Sequence, residues 1–126
     1  MKKLTFTFFL LALISIAGYS QTPGSVIVTE IMQNPAFVAD AAGEWFEVYN
    51  TRATPIDMNG WVIKDNGTNN HTINNGGPLM IPPHGFLVFG RNSDPALNGG
   101  YQVDYVVSTS FSLVNTTDAI ILKAGG

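Results

Sequence analysis

Turn-forming residues recur so often in this chain that no long helix fits between them. From Pro23 onwards, short apolar runs are separated by Gly, Pro, Asn and Asp, and no window keeps a period of 3.6 residues. The runs are rich in β-branched and aromatic residues with a period of two, which is typical of strands. Such short, closely spaced strands favour an all-β sandwich over a layered α/β fold. We predict strands at 25–32, 44–50, 60–64, 70–73, 85–90, 102–110 and 118–124.

Two of these segments indicate which side chains face the core. In the predicted strand at 44–50, Phe46 and Val48 point to the same face, because side chains alternate along a strand. Trp61 follows a turn glycine and alternates with Ile63. We therefore predict that Phe46, Val48, Trp61 and Ile63 belong to the structural core.

Residues 1–20 have the layout of a secretory signal peptide. Two lysines give a positive start, an uncharged run continues to Ala17, and small residues precede a predicted cleavage between Ser20 and Gln21. A membrane anchor is the alternative, but the run is shorter than the roughly 20 apolar residues that span a bilayer. We predict export to the periplasm, the cell surface or the medium, with residues 21–126 as one domain that does not bind membranes.

The charge of the mature chain argues against nucleic-acid binding. Cleavage would leave four basic and nine acidic residues, a formal net charge of -5. The four bases are scattered along the sequence, whereas a phosphate backbone requires clustered cations. The chain also lacks Cys, so disulfides and thiolate zinc sites are excluded, and stability must come from apolar burial.

The two histidines and the aspartates are the candidates for a metal site. His71 and His84 would need a third ligand such as Asp65 or Asp94, and both lie in polar turns where solvated side chains are expected. Calcium is the least disfavoured ion, because six aspartates lie at or near predicted loops. We expect those carboxylates to cap turns, and we predict neither a metal nor a cofactor. The six are Asp40, Asp57, Asp65, Asp94, Asp104 and Asp118.

No catalytic site is predicted. The chain has no Gly-x-Ser-x-Gly turn, and Glu44 and Glu47 fall on opposite faces of one strand, so they cannot act as paired acids. Glu30 lies in an apolar strand. We expect its carboxylate to accept backbone N–H bonds or to pair with Arg52 or Lys64.

Aromatic residues offer one further candidate surface. Trp45 and Tyr49 share the strand face opposite Phe46, and together with Tyr101 they are the basis for a carbohydrate-binding alternative. The commoner arrangement is a central strand whose second face is also buried, and this is what we expect.

Three segments together resemble the lamin tail domain, an immunoglobulin-like module of nuclear intermediate filaments that also occurs in exported bacterial proteins. The middle segment, 44–65, is the most specific, and the resemblance extends over about 25–125. It implies an immunoglobulin-like β-sandwich with no catalytic residues to carry over. The three segments are VIVTEIMQNP, then EWFEVYN with PIDMNGWVIKD, and last IPPHGFLVFG with FSLVNTTDAIILKAGG.

The resemblance implies a non-catalytic interaction or accessory module of an exported bacterial protein, with an unidentified protein or surface as its partner. The alternative is an N-terminal accessory domain of a secreted hydrolase, a nuclease or phosphatase, whose catalytic domain lies beyond Gly126. Bacterial family members continue past the strand that matches 119–123 with a further strand. We therefore expect a C-terminally truncated fragment whose uncovered sheet edge promotes self-association.

Overall fold

The computed structural model describes residues 21–108 and 111–125, and the predicted signal peptide lies outside these ranges. Within them, nine short strands and two single-turn helices are present. The elements are β1 (Val26–Met32), α1 (Asp40–Gly43), β2 (Trp45–Asn50), β3 (Ile56–Asp57), β4 (Val62–Lys64), β5 (Asn70–Thr72), β6 (Met80–Ile81), β7 (Phe86–Gly90), α2 (Pro95–Asn98), β8 (Tyr105–Val106) and β9 (Ile121–Lys123).

The strands form three sheets around one core. The largest has the order β1-β2-β7-β8, in which only the β7–β8 pair is parallel. The second has the order β5-β4-β9, and the third pairs β3 with β6. Buried side chains from all three sheets meet in a single hydrophobic cluster, so the predicted all-β sandwich is confirmed.

The structure buries the four residues that the alternation places in the core. Phe46 and Val48 project from β2, and the ring of Phe46 stacks on Phe89 of β7 with centroids 5.2 Å apart. Ile63 is fully buried in β4, and Trp61 is 6% exposed just before it. Burial of each such side chain contributes about 1.5–3 kcal/mol, so these four residues supply a substantial part of the apolar stabilisation.

Each predicted strand contains a strand of the structure, but β8 is much shorter than the predicted 102–110. Its first residue follows Asp104, whose carboxylate accepts the N–H of Val88 at 2.7 Å and whose N–H donates to the Val88 carbonyl at 2.9 Å. A side chain therefore takes the place of a backbone acceptor beside β7, and the regular ladder begins only at Tyr105. Positions 109 and 110 lie outside the described residues.

An aspartate side chain that accepts backbone N–H bonds also shortens the last predicted strand. The Asp118 carboxylate accepts the N–H groups of Val114 and Ala119, both at 2.7 Å, which folds the preceding segment into a loop. As a result, β9 begins at Ile121 instead of at the predicted position 118.

The sequence pattern missed the two helical turns, because each is only four residues long. In α2, the Asp94 side chain accepts the N–H of Ala96, Pro95 occupies the first turn, and Gly99 ends the helix in the left-handed region at φ 94°. The short pair β3 and β6 was also missed, since two residues are too few to show a period.

Candidate functional site

Three in-register rows of residues cross β1, β2 and β7 on one face of the large sheet. Residues directly opposite each other on antiparallel strands project to the same side, so the β1-β2-β7 register identifies the rows. We call this surface the outer face, because Phe46 and Val48 project from the opposite side into the core. Its rows are Ile27–Tyr49–Phe86, Glu30–Glu47–Val88 and Met32–Trp45–Gly90.

The first row is apolar and open to solvent. Ile27 is 42% exposed, Phe86 is 51% exposed, and Tyr49 between them is half-buried. The rings of Tyr49 and Phe86 lie 4.8 Å apart at an angle of 41°. The Tyr49 hydroxyl lies 3.3 Å from Nδ1 of His84. These contacts make the row a continuous patch and not a set of isolated exposed side chains.

Asn50 holds the turn that carries His84 beside this row. Asn50 is fully buried at the end of β2, and its side-chain amide donates to the carbonyls of Thr54, Ile81 and Pro82. His84 itself is exposed and adopts a positive φ of 50°. Sequence reasoning missed Asn50, because only the folded chain shows that its bonding partners converge on the strand end.

The second row is acidic. Glu30 lies directly opposite Glu47, and a register shift between Val28 and Glu30 leaves Thr29 as an extra residue. The Thr29 hydroxyl donates to Oε1 of Glu47 at 2.7 Å. Like charges directly opposite each other repel, so this pair would be stabilised by a cation placed between the two carboxylates.

The expectation for Glu30 was wrong: among the described residues its carboxylate accepts no backbone N–H bond, and neither Arg52 nor Lys64 pairs with it. Arg52 lines an open cleft of about 760 Å³ that also includes Trp61 and Met80. Lys64 belongs to β4 of another sheet. Glu30 is exposed on the outer face.

The other two basic residues are also away from the outer face. Arg91 follows β7 and is largely buried, with Nη1 at 2.9 Å from Oε2 of Glu44. Lys123 is in β9. The three rows that the register defines therefore contain acids and no base, which gives the outer face a negative charge.

Glu44 and Glu47 project in opposite directions, as the alternation predicted. Glu44 is 2% exposed and pairs with Arg91, and the same Oε2 also accepts the N–H of Leu113 at 3.2 Å. The segment around Leu113 is thereby tied to the start of β2. Sequence reasoning considered Glu44 only as a catalytic acid and missed this structural role, because its partners are distant in the chain.

The third row does not form an open stacking platform. The ring of Trp45 lies 4.8 Å from that of Tyr101, and both residues are half-buried. Tyr49, the other residue of the carbohydrate alternative, contacts Phe86 and His84 instead. The strand face is therefore half-buried, not fully buried as expected.

His71 lies within β5, in agreement with the strand predicted at 70–73, but its side chain is not solvated, which corrects the expectation of a solvated turn. It is half-buried, with Nε2 at 2.9 Å from the hydroxyl of Tyr105 and Nδ1 at 3.4 Å from the N–H of Ser108. The same hydroxyl accepts the N–H of Asn74 at 3.0 Å. A neutral imidazole with its proton on Nε2 satisfies both contacts of His71, and the network links β5 to β8.

We expect stability to fall at mildly acidic pH through His71. Burial lowers the pKa of His71 below the ordinary imidazole value of about 6.5, so the unfolded chain takes up a proton at higher pH than the folded chain. This contribution is complete above about pH 6.5 and is lost as the pH falls below that value. Urea unfolding measures the free energy of unfolding at about pH 7.5 and about pH 5.5. Between these two pH values it should fall less for His71→Gln than for the wild-type chain. A change in His71→Gln equal to that of the wild-type chain would contradict the assignment.

The metal candidates do not converge. Among residues 21–108 and 111–125, no group of three or more His, Asp or Glu side chains could hold a metal ion. Asp40 accepts a bond from the Asn115 amide. The other five candidate aspartates, Asp57, Asp65, Asp94, Asp104 and Asp118, each accept at least one backbone N–H bond.

The comparisons with known proteins give one family. The model of the Lamin Tail Domain family matches residues 19–126, a range that includes every strand and helix described above. No curated protein and no solved structure matches the chain. In the part of the chain that the structure describes, no helix has the length and apolar character needed to cross a membrane.

Proposed function

Because the chain belongs to the lamin tail domain family, whose fold is immunoglobulin-like, we propose that it is a non-catalytic module that binds a partner through its outer face. The observation that carries this proposal is the exposed row Ile27–Tyr49–Phe86. We further propose that the module belongs to an exported protein, on the strength of the signal-peptide layout of residues 1–20.

The position of the row supports a binding role. One side of the large sheet already packs in the core, so its other side, the outer face, is the side of this sheet that a partner can contact. Exposed apolar residues that form a contiguous patch with a polar surround are typical of interaction sites. The row also lies on three paired strands and not on a loop, so little conformational entropy is lost when a partner binds.

Hydroxyl-radical footprinting tests the proposal. The chain would be labelled alone and in the presence of the envelope fraction of the cells that produce it. We expect modification of Tyr49 and Phe86 to fall severalfold, because a bound partner excludes solvent from the row. Phe37 is the matched control, since it is 99% exposed and lies outside the outer face. Protection of Phe37 without protection of Phe86, or no protection at either residue, would contradict the proposal.

A further inference from the structure

We infer that the partner of the outer face is an extended, cationic protein segment, with a large apolar side chain against Tyr49 and Phe86 and a Lys or Arg beside Glu30 and Glu47. This inference rests on the proposed function, because it specifies the chemistry of the partner for the same face. It is carried by the juxtaposition of an apolar row and an unneutralised acidic row on three strands.

The acidic row favours a partner with a positive charge. Glu30 and Glu47 are cross-strand neighbours, and the ion pair of the described residues joins Arg91 to Glu44 instead. Thr29 donates to Oε1 of Glu47, which leaves Oε2 available to another donor. An ammonium or guanidinium group near both carboxylates would relieve their repulsion and donate to each of them. A metal ion is a poorer fit, because the described residues contain no group of three or more His, Asp or Glu side chains that could hold one.

The apolar row selects the anchor of the partner. Tyr49 and Phe86 are tilted at 41° to each other, so the flat face of one sugar ring cannot stack on both. A branched or aromatic side chain can contact both rings, and Ile27 extends the apolar surface on the other side of Tyr49. Apolar anchors of this kind supply most of the affinity of protein interfaces.

The spacing of the two rows favours a partner whose backbone is extended. Tyr49 and Glu47 are two residues apart in β2, which is about 7 Å along a strand. In an extended partner, side chains at positions i and i+2 project to the same side with that separation. An apolar residue followed two positions later by Lys or Arg therefore matches the apolar and acidic rows together.

The same charges disfavour other occupants. In a symmetric dimer of this chain through the outer face, acidic rows would approach one another without a base to neutralise them. Nucleic acid and anionic lipid would meet the same carboxylates. Charge complementarity thus favours a cationic protein over a second copy, a nucleic acid or a membrane.

A titration of the ¹⁵N-labelled 126-residue chain with a defined peptide tests the inference. The probe is two repeats of Phe-Ser-Lys-Ser, which places Phe and Lys on one side when extended. At low salt we expect chemical-shift changes confined to β1, β2 and β7 and weakened by added salt. Probes with Glu in place of Lys, or Ala in place of Phe, should bind at least about tenfold more weakly.

Matched variants distinguish specific docking from general attraction. Phe86→Ala should weaken binding about tenfold, because it removes one of the two rings that contact the apolar side chain of the partner. Glu47→Gln should weaken it about fivefold, because it removes one of the two carboxylates. Phe37→Ala and Asp40→Asn make the same changes elsewhere and should bind like the wild-type chain. Amide spectra that match the wild-type dispersion establish that each variant is folded.

Several results would overturn the inference. These are equal binding of the Lys and Glu probes, no effect of Glu47→Gln, shift changes on the outer face with maltohexaose, or dimerisation through that face. If the footprint protects Phe86 but the Lys probe does not bind, the partner chemistry is wrong and the proposed function stands. If the footprint leaves Phe86 unprotected and the probe does not bind, the proposed function fails as well.

Discussion

Trp61→Ala is expected to remove about 3–5 kcal/mol from the free energy of unfolding, a large part of the roughly 5–15 kcal/mol available to a small domain. Trp61 is 6% exposed. The backbone N–H of Trp61 donates to the carbonyl of Met58, and the backbone carbonyl of Trp61 accepts the N–H of Ile73. Gly60 precedes it with φ 82°, so the turn directs the indole into the core. Because Trp61 also borders the open cleft, water can enter part of the vacated space, and we expect the lower half of that range.

Urea unfolding at neutral pH measures this loss. Phe37→Ala removes an aromatic ring that is 99% exposed and should change the free energy of unfolding by less than about 0.5 kcal/mol. A Trp61→Ala midpoint within error of the wild-type value would show that Trp61 does not support the core.

Glu44→Ala should destabilise the fold by a similar amount, about 3–5 kcal/mol. The substitution leaves the Arg91 guanidinium largely buried without its carboxylate and removes the acceptor of the Leu113 N–H. Most of this loss arises because the positive charge of Arg91 stays largely buried after its carboxylate is removed. The net attraction between the two side chains contributes less. The double variant Glu44→Ala/Arg91→Met should therefore regain part of the stability.

The control for this prediction is Glu47→Ala, which removes the same kind of side chain from the half-buried outer face of β2, three residues after Glu44. It should cost less than about 1 kcal/mol, because that carboxylate has no ion-pair partner among the described residues. A double variant no more stable than Glu44→Ala would show that the buried charge of Arg91 is not the source of the loss.

The alternation of side chains in β2 was predictable from the sequence. Because a strand has a period of two, EWFEVYN by itself separates Phe46 and Val48 from Glu47 and Tyr49. The same rule placed Trp61 and Ile63 on one side, and turn chemistry located each predicted strand to within a few residues. These properties depend on neighbours in the chain, so they are encoded locally.

The strand ends were not predictable in the same way. The ladder of β8 begins late because the Asp104 side chain bonds to Val88, sixteen residues earlier. The predicted strand 70–73 includes His71, but its side chain was expected in solvent, whereas it contacts Tyr105 of β8. In both cases the deciding partner belongs to an element that only the folded chain brings close.

The sequence by itself determined that the chain forms short strands, which faces of those strands are apolar, and which family it belongs to. The tertiary structure decided which strands are neighbours and in what register. Three features follow from that register: the row Ile27–Tyr49–Phe86, the acidic pair of Glu30 with Glu47, and the buried pair of Glu44 with Arg91. Alternation has the same period in every strand and carries no information about partners. Pairing is set by packing of the whole core, so the candidate surface emerges only when the sheet is assembled.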